Sequence, residues 1–506
     1  VRRIPNPVRL LILATKFPAR LLAAFMRRSP NPVRLLILVI GLGLARAGFI
    51  DEERARRTTD LAWPRIVTGI ARMSKNAVDV AMVGVALGSV AIAGVGFASA
   101  YWGIAFSLGG GFAAGTIALV SQRYGAEAYD ELGQAIRSSV ALVIAVTLPV
   151  AALFYLVPAE LVSVMTDDPR TIELGADYLR VLAFGVPFAG LNLIGSRIFI
   201  GVDDAYTPML VRAGGATANV VANAALIFGL GMGVVGAAIG TVLANVLVTA
   251  MFVGGLAFGW LPGRGDLCVQ VDFRGTYADV GVLRDIVTIG LPVVGRNSVW
   301  TAAKFPMLAI VALFGQNVVA AYVIARRIWG IMNTPGWGFG LASSSLVGQA
   351  LGSNDEALAD AYGRDIIRFA IATYAVAAVV VAVFAESIVI SFVGDASDPS
   401  VPVAVALLYA ACIATLAQAV KGAAAGPLDA SGDTRWPFYS QAIGMFGCAI
   451  PIAYLGATTP LGLMGLYLSF VAETTVPAAI NYHRFATGKW KSISRAFRPD
   501  SAVADD

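Results

Sequence analysis

The sequence predicts an all-α polytopic membrane protein, with twelve transmembrane helices in two six-helix pseudo-symmetric lobes. Three observations lead there. Of the 506 residues, 58% are hydrophobic and 14% charged, where soluble domains carry about 25% charged residues. Apolar stretches long enough to cross a bilayer, roughly 20 residues each, recur along the chain. Landmarks of the first half also return, in order, in the second. A soluble multi-domain enzyme would need polar surface that this chain lacks.

Reading apolar windows between Gly, Pro and charged breaks gives spans near 61–86, 90–120, 134–158, 171–200, 207–229, 234–258, 284–313, 317–348, 364–392, 401–427, 436–456 and 460–482. The longest interruption, GWLPGRGDLCVQVDFRGTYADVGVL, separates an N-lobe at 61–258 from a C-lobe at 284–482. Residues 259–283 are then a linker and 483–506 a C-terminal tail.

Residues 1–60 form a basic extension, with 12 Lys and Arg against 4 Asp and Glu. Within it VRRIPNPVRLLIL (1–13) nearly repeats as MRRSPNPVRLLIL (26–38), identical at 11 of 13 positions. Arg9, Lys16, Arg20, Arg34 and Arg46 interrupt its apolar runs. The arm is expected to be interfacial on an anionic membrane face, or disordered. A natural start at Met26 or later is the other reading. It does not resemble a cleaved signal peptide.

Loop charge sets the orientation. Arg123, Arg264, Arg274, Arg364 and Arg435 share one side with the basic ends, whereas TDDPR (166–170) and GDASDPS (394–400) lie on the other. The positive-inside rule puts both termini and the linker in the cytoplasm, with the chain in the cell membrane.

The halves are parallel repeats. Gly88, Trp102, Gly103, Gln122 and Gly125 recur 227 residues on as Gly315, Trp329, Gly330, Gln349 and Gly352. Asp204, Pro208, Gly233 and Gly236 recur 229 residues on as Asp433, Pro437, Gly462 and Gly465. Such repeats commonly rock about a central cavity.

Polar residues inside spans are costly and point to function. At 1.5 Å per residue, Asp79 lies about 12 Å below the outer end of span one. Asn219 and Asn223 lie about 15 and 9 Å down span five, and Thr241 about 10 Å down span six. All four offer oxygen ligands, which suit a proton or one Na⁺. A helix-gluing hydrogen-bond network would look the same. The repeat separates the two readings, because the equivalent positions are Pro306, Cys448, Ile452 and Phe470. Glue needed by both lobes would survive in both, while a coupling site is needed once.

In the second lobe Arg296, Trp300 and Lys304 share a helix face, with Lys421 in span ten and Glu473 in span twelve. Two readings stand: an internal Lys/Arg–Glu473 network, or a substrate cavity built from Arg296, Trp300, Lys304 and Lys421. Trp102 and Trp329 are expected to be packing residues at related sites. Runs such as SLGGGFAAG indicate close helix packing.

Three separated cysteines and one histidine exclude a disulfide framework and His-based metal or triad chemistry. The pair in DDAYTP is expected to start a helix, since it recurs as GDTRWP. No catalytic residues, nucleic-acid partner or organic cofactor are expected.

VDVAMVGVALG (78–88), VSQRYGA (120–126), GVDDAYTP (201–208) and GVVGAAIGT (233–241), in this order, resemble the multidrug and toxic compound extrusion (MATE) family. The resemblance runs from about residue 60 onward. It implies two six-helix lobes forming a V-shaped cavity and a monomer that exports organic compounds, drug-like and cationic, in exchange for Na⁺ or H⁺. Asp79 matches the first-helix aspartate of the DinF-like branch, Pro64 its first-helix proline hinge, and Asn219 and Thr241 the aspartate's neighbours. Asn223 stands where members related to archaeal homologues often have a second acid. Trp300 stands nearest the helix-seven glutamate of the other large branch. The expected partners are small organic substrates and membrane lipids. The alternative is a flippase of lipid-linked oligosaccharide or polysaccharide precursors from the same superfamily.

Overall fold

The computed structural model describes residues 31–499, which are almost entirely helical. The chain begins with α1 (Pro32–Arg46) and α2 (Glu52–Leu87). The rest of the first lobe is α3 (Ser89–Gly125), α4 (Tyr129–Leu156), α5 (Pro169–Gly201), α6 (Tyr206–Gly229) and α7 (Gly233–Phe258). The linker holds one small hairpin, β1 (Trp260–Leu261) antiparallel to β2 (Gly265–Asp266).

The second lobe opens with α8 (Val280–Ala302) and α9 (Lys304–Ala312), then α10 (Gln316–Met332) and α11 (Thr334–Gly352). It continues with α12 (Glu356–Val383), α13 (Ala385–Val393), α14 (Ser400–Ala430), α15 (Arg435–Thr458) and α16 (Leu463–Ala486). These helices follow the order of the expected spans. Among the described residues, nine are long and apolar enough to cross a membrane: α3 to α7, α12, and α14 to α16. Span one falls short because α2 carries many charges, and spans seven and eight are each split in two, at Ala303 and Asn333.

Local chemistry sets the helix ends. Asp51, Asp168, Asp279 and Asp355 accept a backbone N–H three residues on, satisfying a first-turn donor. Asp204 does the same for Thr207, which bears out DDAYTP as a helix start. Gly88 (φ 83) and its repeat mate Gly315 (φ 97) both precede a helix in left-handed backbone. Gly233 (φ 56), the first residue of α7, and Gly462 (φ 55), just before α16, form a second positive-φ pair.

The lobes meet where small residues let backbones touch. A Cβ on Gly115 would lie 2.6 Å from the Ile286 carbonyl, and one on Gly290 2.9 Å from that of Gly111. The glycine run of α3 therefore packs directly on α8. At the ends of α3 and α11 the contact is reciprocal. A side chain on Gly125 would strike the backbone of Gln349, and one on Gly352 that of Gln122. Gln122 Nε2 donates to the Ala430 carbonyl at 2.7 Å, and Gln349 Nε2 to the Gly201 carbonyl at 3.1 Å. Both donors and acceptors are repeat equivalents. Arg57 adds a further tie, from α2 to Gln349 (3.0 Å), to Tyr362 of α12 (3.0 Å) and to Asp203 (2.9 Å).

Two expected boundaries are corrected. The extension ends before residue 60, because α2 starts at Glu52 and runs unbroken to Leu87. Nor is its described part disordered: Gly41 of α1 abuts Phe369, Arg34 pairs with Asp60, and Arg54 pairs with Asp365 of α12. Residues 1–30, with the first copy of the short repeat, lie outside the described residues. The tail begins after Ala486, and Trp490 then stacks on Phe485 while Arg495 and Arg498 hold Glu356.

Candidate functional site

Asp79 sits on α2, two turns before the helix ends at Gly88. Its Oδ1 accepts from Asn223 Nδ2 at 3.1 Å. The same amide lies 3.4 Å from Asn219 Oδ1, and Asn219 Nδ2 donates to Thr241 Oγ1 at 3.3 Å. The four polar residues singled out from span depth thus form one chain across α2, α6 and α7. Asn219 and Asn223 are buried and share a face because they are four apart. Asn223 Oδ1 is buried without a hydrogen-bond partner among the described residues. It points at Gly240, where a side chain would collide with it. Among the aligned positions of the other lobe, Phe470 is buried among apolar neighbours.

The carboxylate has one partner that sequence reasoning missed. Lys75 Nζ lies 2.6 Å from Asp79 Oδ2, one helical turn earlier. Both side chains are only 21% exposed. The signal was available as the four-residue spacing of Lys and Asp on a helix.

The polar chain lines a cavity of about 580 Å³ inside the first lobe. Trp102, Phe106 and Tyr178 give it aromatic walls, and Asn76, Asn192 and Asn245 give it amides. Trp102 is therefore not simply a packing residue, whereas its repeat mate Trp329 is buried beside Phe470. Arg72 and Arg212 also line the cavity. They too went unnoticed, although Arg65, Arg72 and Asp79 recur every seven residues on α2 and so share one face.

Pro64 lies within α2 and lacks the N–H that would bond to the carbonyl of Asp60. Below it the helix is wedged: a side chain on Gly338 would meet the Ala62 carbonyl at 2.7 Å. Above it, from Ser74 to Leu87, only Met82 and Val83 are buried. The proline thus divides an anchored half from a loosely held half that carries Asp79.

The four basic and aromatic residues of the second lobe do not line this cavity. Arg296 makes a two-pronged pair with Asp429, at 3.2 and 2.9 Å. Lys304 Nζ lies 3.9 Å from the ring centre of Trp300. Glu473 is held by both terminal nitrogens of Arg326, with Tyr322 and Phe470 packed on the guanidinium. Lys421 lies within electrostatic range of that carboxylate. The geometry is that of an internal network, with Arg326 as the partner the sequence reading did not weigh. It lies inside span eight, beside Arg327.

The sequence matches the MatE family over residues 64–224 and 292–455, one segment in each lobe. It is similar to a probable multidrug resistance protein NorM of Bradyrhizobium diazoefficiens, 26% identical and covering 85% of this chain and 92% of the relative. It is also similar to the multidrug resistance protein PmpM of Pseudomonas aeruginosa, at 25% identity and coverage of 88% and 94%. A MOP superfamily transporter from Pyrococcus furiosus superposes with TM-score 0.78 at 22% identity, covering 88% of this chain and 97% of the other. A MATE structure described as bent gives 0.79 at 22% identity and the same coverage.

Proposed function

Because this chain belongs to the MatE family and is a multi-pass membrane transporter rather than an enzyme, we propose that it exports organic, drug-like compounds across the cell membrane by alternating access. Entry of Na⁺ or H⁺ at Asp79 drives the cycle. Relatives named for multidrug resistance support the export of such compounds. Basic loops on one side support cytoplasmic termini. The tight contacts of Gln122, Gln349 and Arg57 lie at that same end, so we read this conformation as closed toward the cytoplasm.

The observation that carries the coupling reading is the chain from Asp79 through Asn223 and Asn219 to Thr241, opening on the cavity. A proton or Na⁺ arriving there competes with Lys75 for the carboxylate. Asn223 Oδ1, buried and unpartnered, is a ready oxygen for a hard cation. Occupancy of Asp79 changes the charge on the loose half of α2 and favours bending at Pro64. Bending narrows the cavity and so disfavours bound cargo, which is the differential affinity that coupling needs. The expected DinF-like assignment rests on Asp79 and Pro64. A cationic cargo finds no support in the lining, where Arg72, Lys75 and Arg212 face a single acid.

Efflux from vesicles under separately imposed Na⁺ and pH gradients tests this. Asp79→Asn abolishes gradient-driven efflux at normal expression. Coupled efflux persisting in that variant refutes the reading.

A further inference from the structure

The floor of the cavity carries positive charge that coupling at Asp79 does not use. Arg65 and Arg72 of α2, Arg197 of α5 and Arg212 of α6 converge from three helices. Arg65 lies within electrostatic range of the other three, and Arg212 of Arg72 and Arg197. Arg72 and Arg212 line the main cavity, and Arg65 lines a recess that shares Thr68, Met209 and Arg212 with it. None of the four pairs with an acidic side chain among the described residues. Arg212 Nη2 donates to the Asn192 carbonyl at 3.0 Å, but Arg212 Nε and Arg65 Nε are buried without any partner among the described residues. Arg72 and Arg65 are steadied over the rings of Phe106 and Trp337, at 4.6 and 5.7 Å.

Gathering like charges away from bulk water costs several kcal/mol per ion. Carbonyl capping explains only one of the four groups. Asp79, the one acid lining the cavity among the described residues, is already paired with Lys75. Guanidinium forks match carboxylate and phosphate oxygens two at a time, which makes such a cluster an anion receptor. The aromatic walls above supply a site for an apolar or aromatic body.

We infer that this cavity takes an amphiphilic organic anion, with its carboxylate, sulfonate or phosphate between Arg72 and Arg212 and its apolar body against Trp102, Phe106 and Tyr178. The inference rests on the reading that cargo occupies the first-lobe cavity, and it names the cargo's charge. The anionic group belongs to a soluble compound or to a lipid headgroup.

The test is equilibrium binding to the full chain in nanodiscs of zwitterionic lipid, with no gradient imposed. Carboxyfluorescein and 1-anilinonaphthalene-8-sulfonate are the anionic probes, and ethidium is the cationic one. In Arg72→Gln/Arg212→Gln, the anion-to-cation affinity ratio falls about tenfold or more, as expected for losing charge-assisted hydrogen bonds. In Arg72→Lys/Arg212→Lys part of the ratio returns, because the charge is kept while the fork is lost, which separates loss of charge from misfolding. Adding phosphatidic acid identifies the source. Competition with the soluble probes in the wild type but not in the Gln variant assigns the anion to a lipid, and no competition assigns it to a soluble compound. The inference is overturned if both anions bind the wild type more weakly than ethidium, or if the Gln variant keeps the wild-type ratio. Failure of ion-driven efflux in Asp79→Asn tests coupling alone and leaves this result readable.

Discussion

Lys75 and Asp79 form an ion pair of 2.6 Å within one turn of the first long helix, at the edge of the cavity. The pair makes the carboxylate neutral toward the cavity until something displaces the ammonium. Lys75→Met removes the competitor. The concentration of coupling cation giving half-maximal efflux should then fall about tenfold, the scale of a modest charge-pair coupling energy. An unchanged half-saturation would show that Lys75 does not guard the site.

Pro64→Ala restores the N–H missing from α2 and gains up to roughly 3 kcal/mol of helix continuity. We expect the thermal midpoint to hold or rise while efflux drops several-fold. A variant that pumps at the wild-type rate would show that bending occurs elsewhere.

Gly125→Ala pushes a methyl group into the backbone of Gln349. Overpacking of this kind costs about 1–3 kcal/mol. The closed contact between α3 and α11 should loosen, lengthening distances between spin labels placed on the two lobes at that end. Unaltered distances would mean that the backbones do not meet in the membrane.

Arg326→Met strands the Glu473 carboxylate in the second lobe, where its side chain is 1% exposed. Breaking a buried pair costs about 3–5 kcal/mol, while replacing both partners costs far less. Arg326→Met/Glu473→Gln should recover most of the lost thermal stability. If the double variant is no more stable than the single one, the two residues are not coupled.

Much of this architecture is legible in the sequence. Apolar windows gave the order of helices because bilayer thickness fixes span length. Counting residues down three spans brought Asp79, Asn219, Asn223 and Thr241 to one level, since helical rise is nearly constant. What counting cannot see is azimuth. Lys75, Arg72 and Arg212 were inside spans already identified, but depth alone did not say that they face the cavity. The breaks at Ala303 and Asn333 do carry marks, Lys304 and Pro306 at the first and Thr334 and Pro335 at the second, but a window averaged over a whole span smooths them away. Glu473 reads as a member of a network with Arg296, Lys304 and Lys421, yet packing gives it a fourth cation, Arg326.

Arg65, Arg72, Lys75 and Asp79 all ride on a single rod, spaced so that they point the same way. Neighbouring residues on a helix differ by about 100° in direction. Any rotation of that rod about its axis therefore moves the whole polar row together, and a rotation of one residue, about 100°, would put Ile66, Met73, Asn76 and Val80 where the row now stands. The chamber's electrical character is then governed by one angular coordinate, much as a cam sets every valve along its shaft.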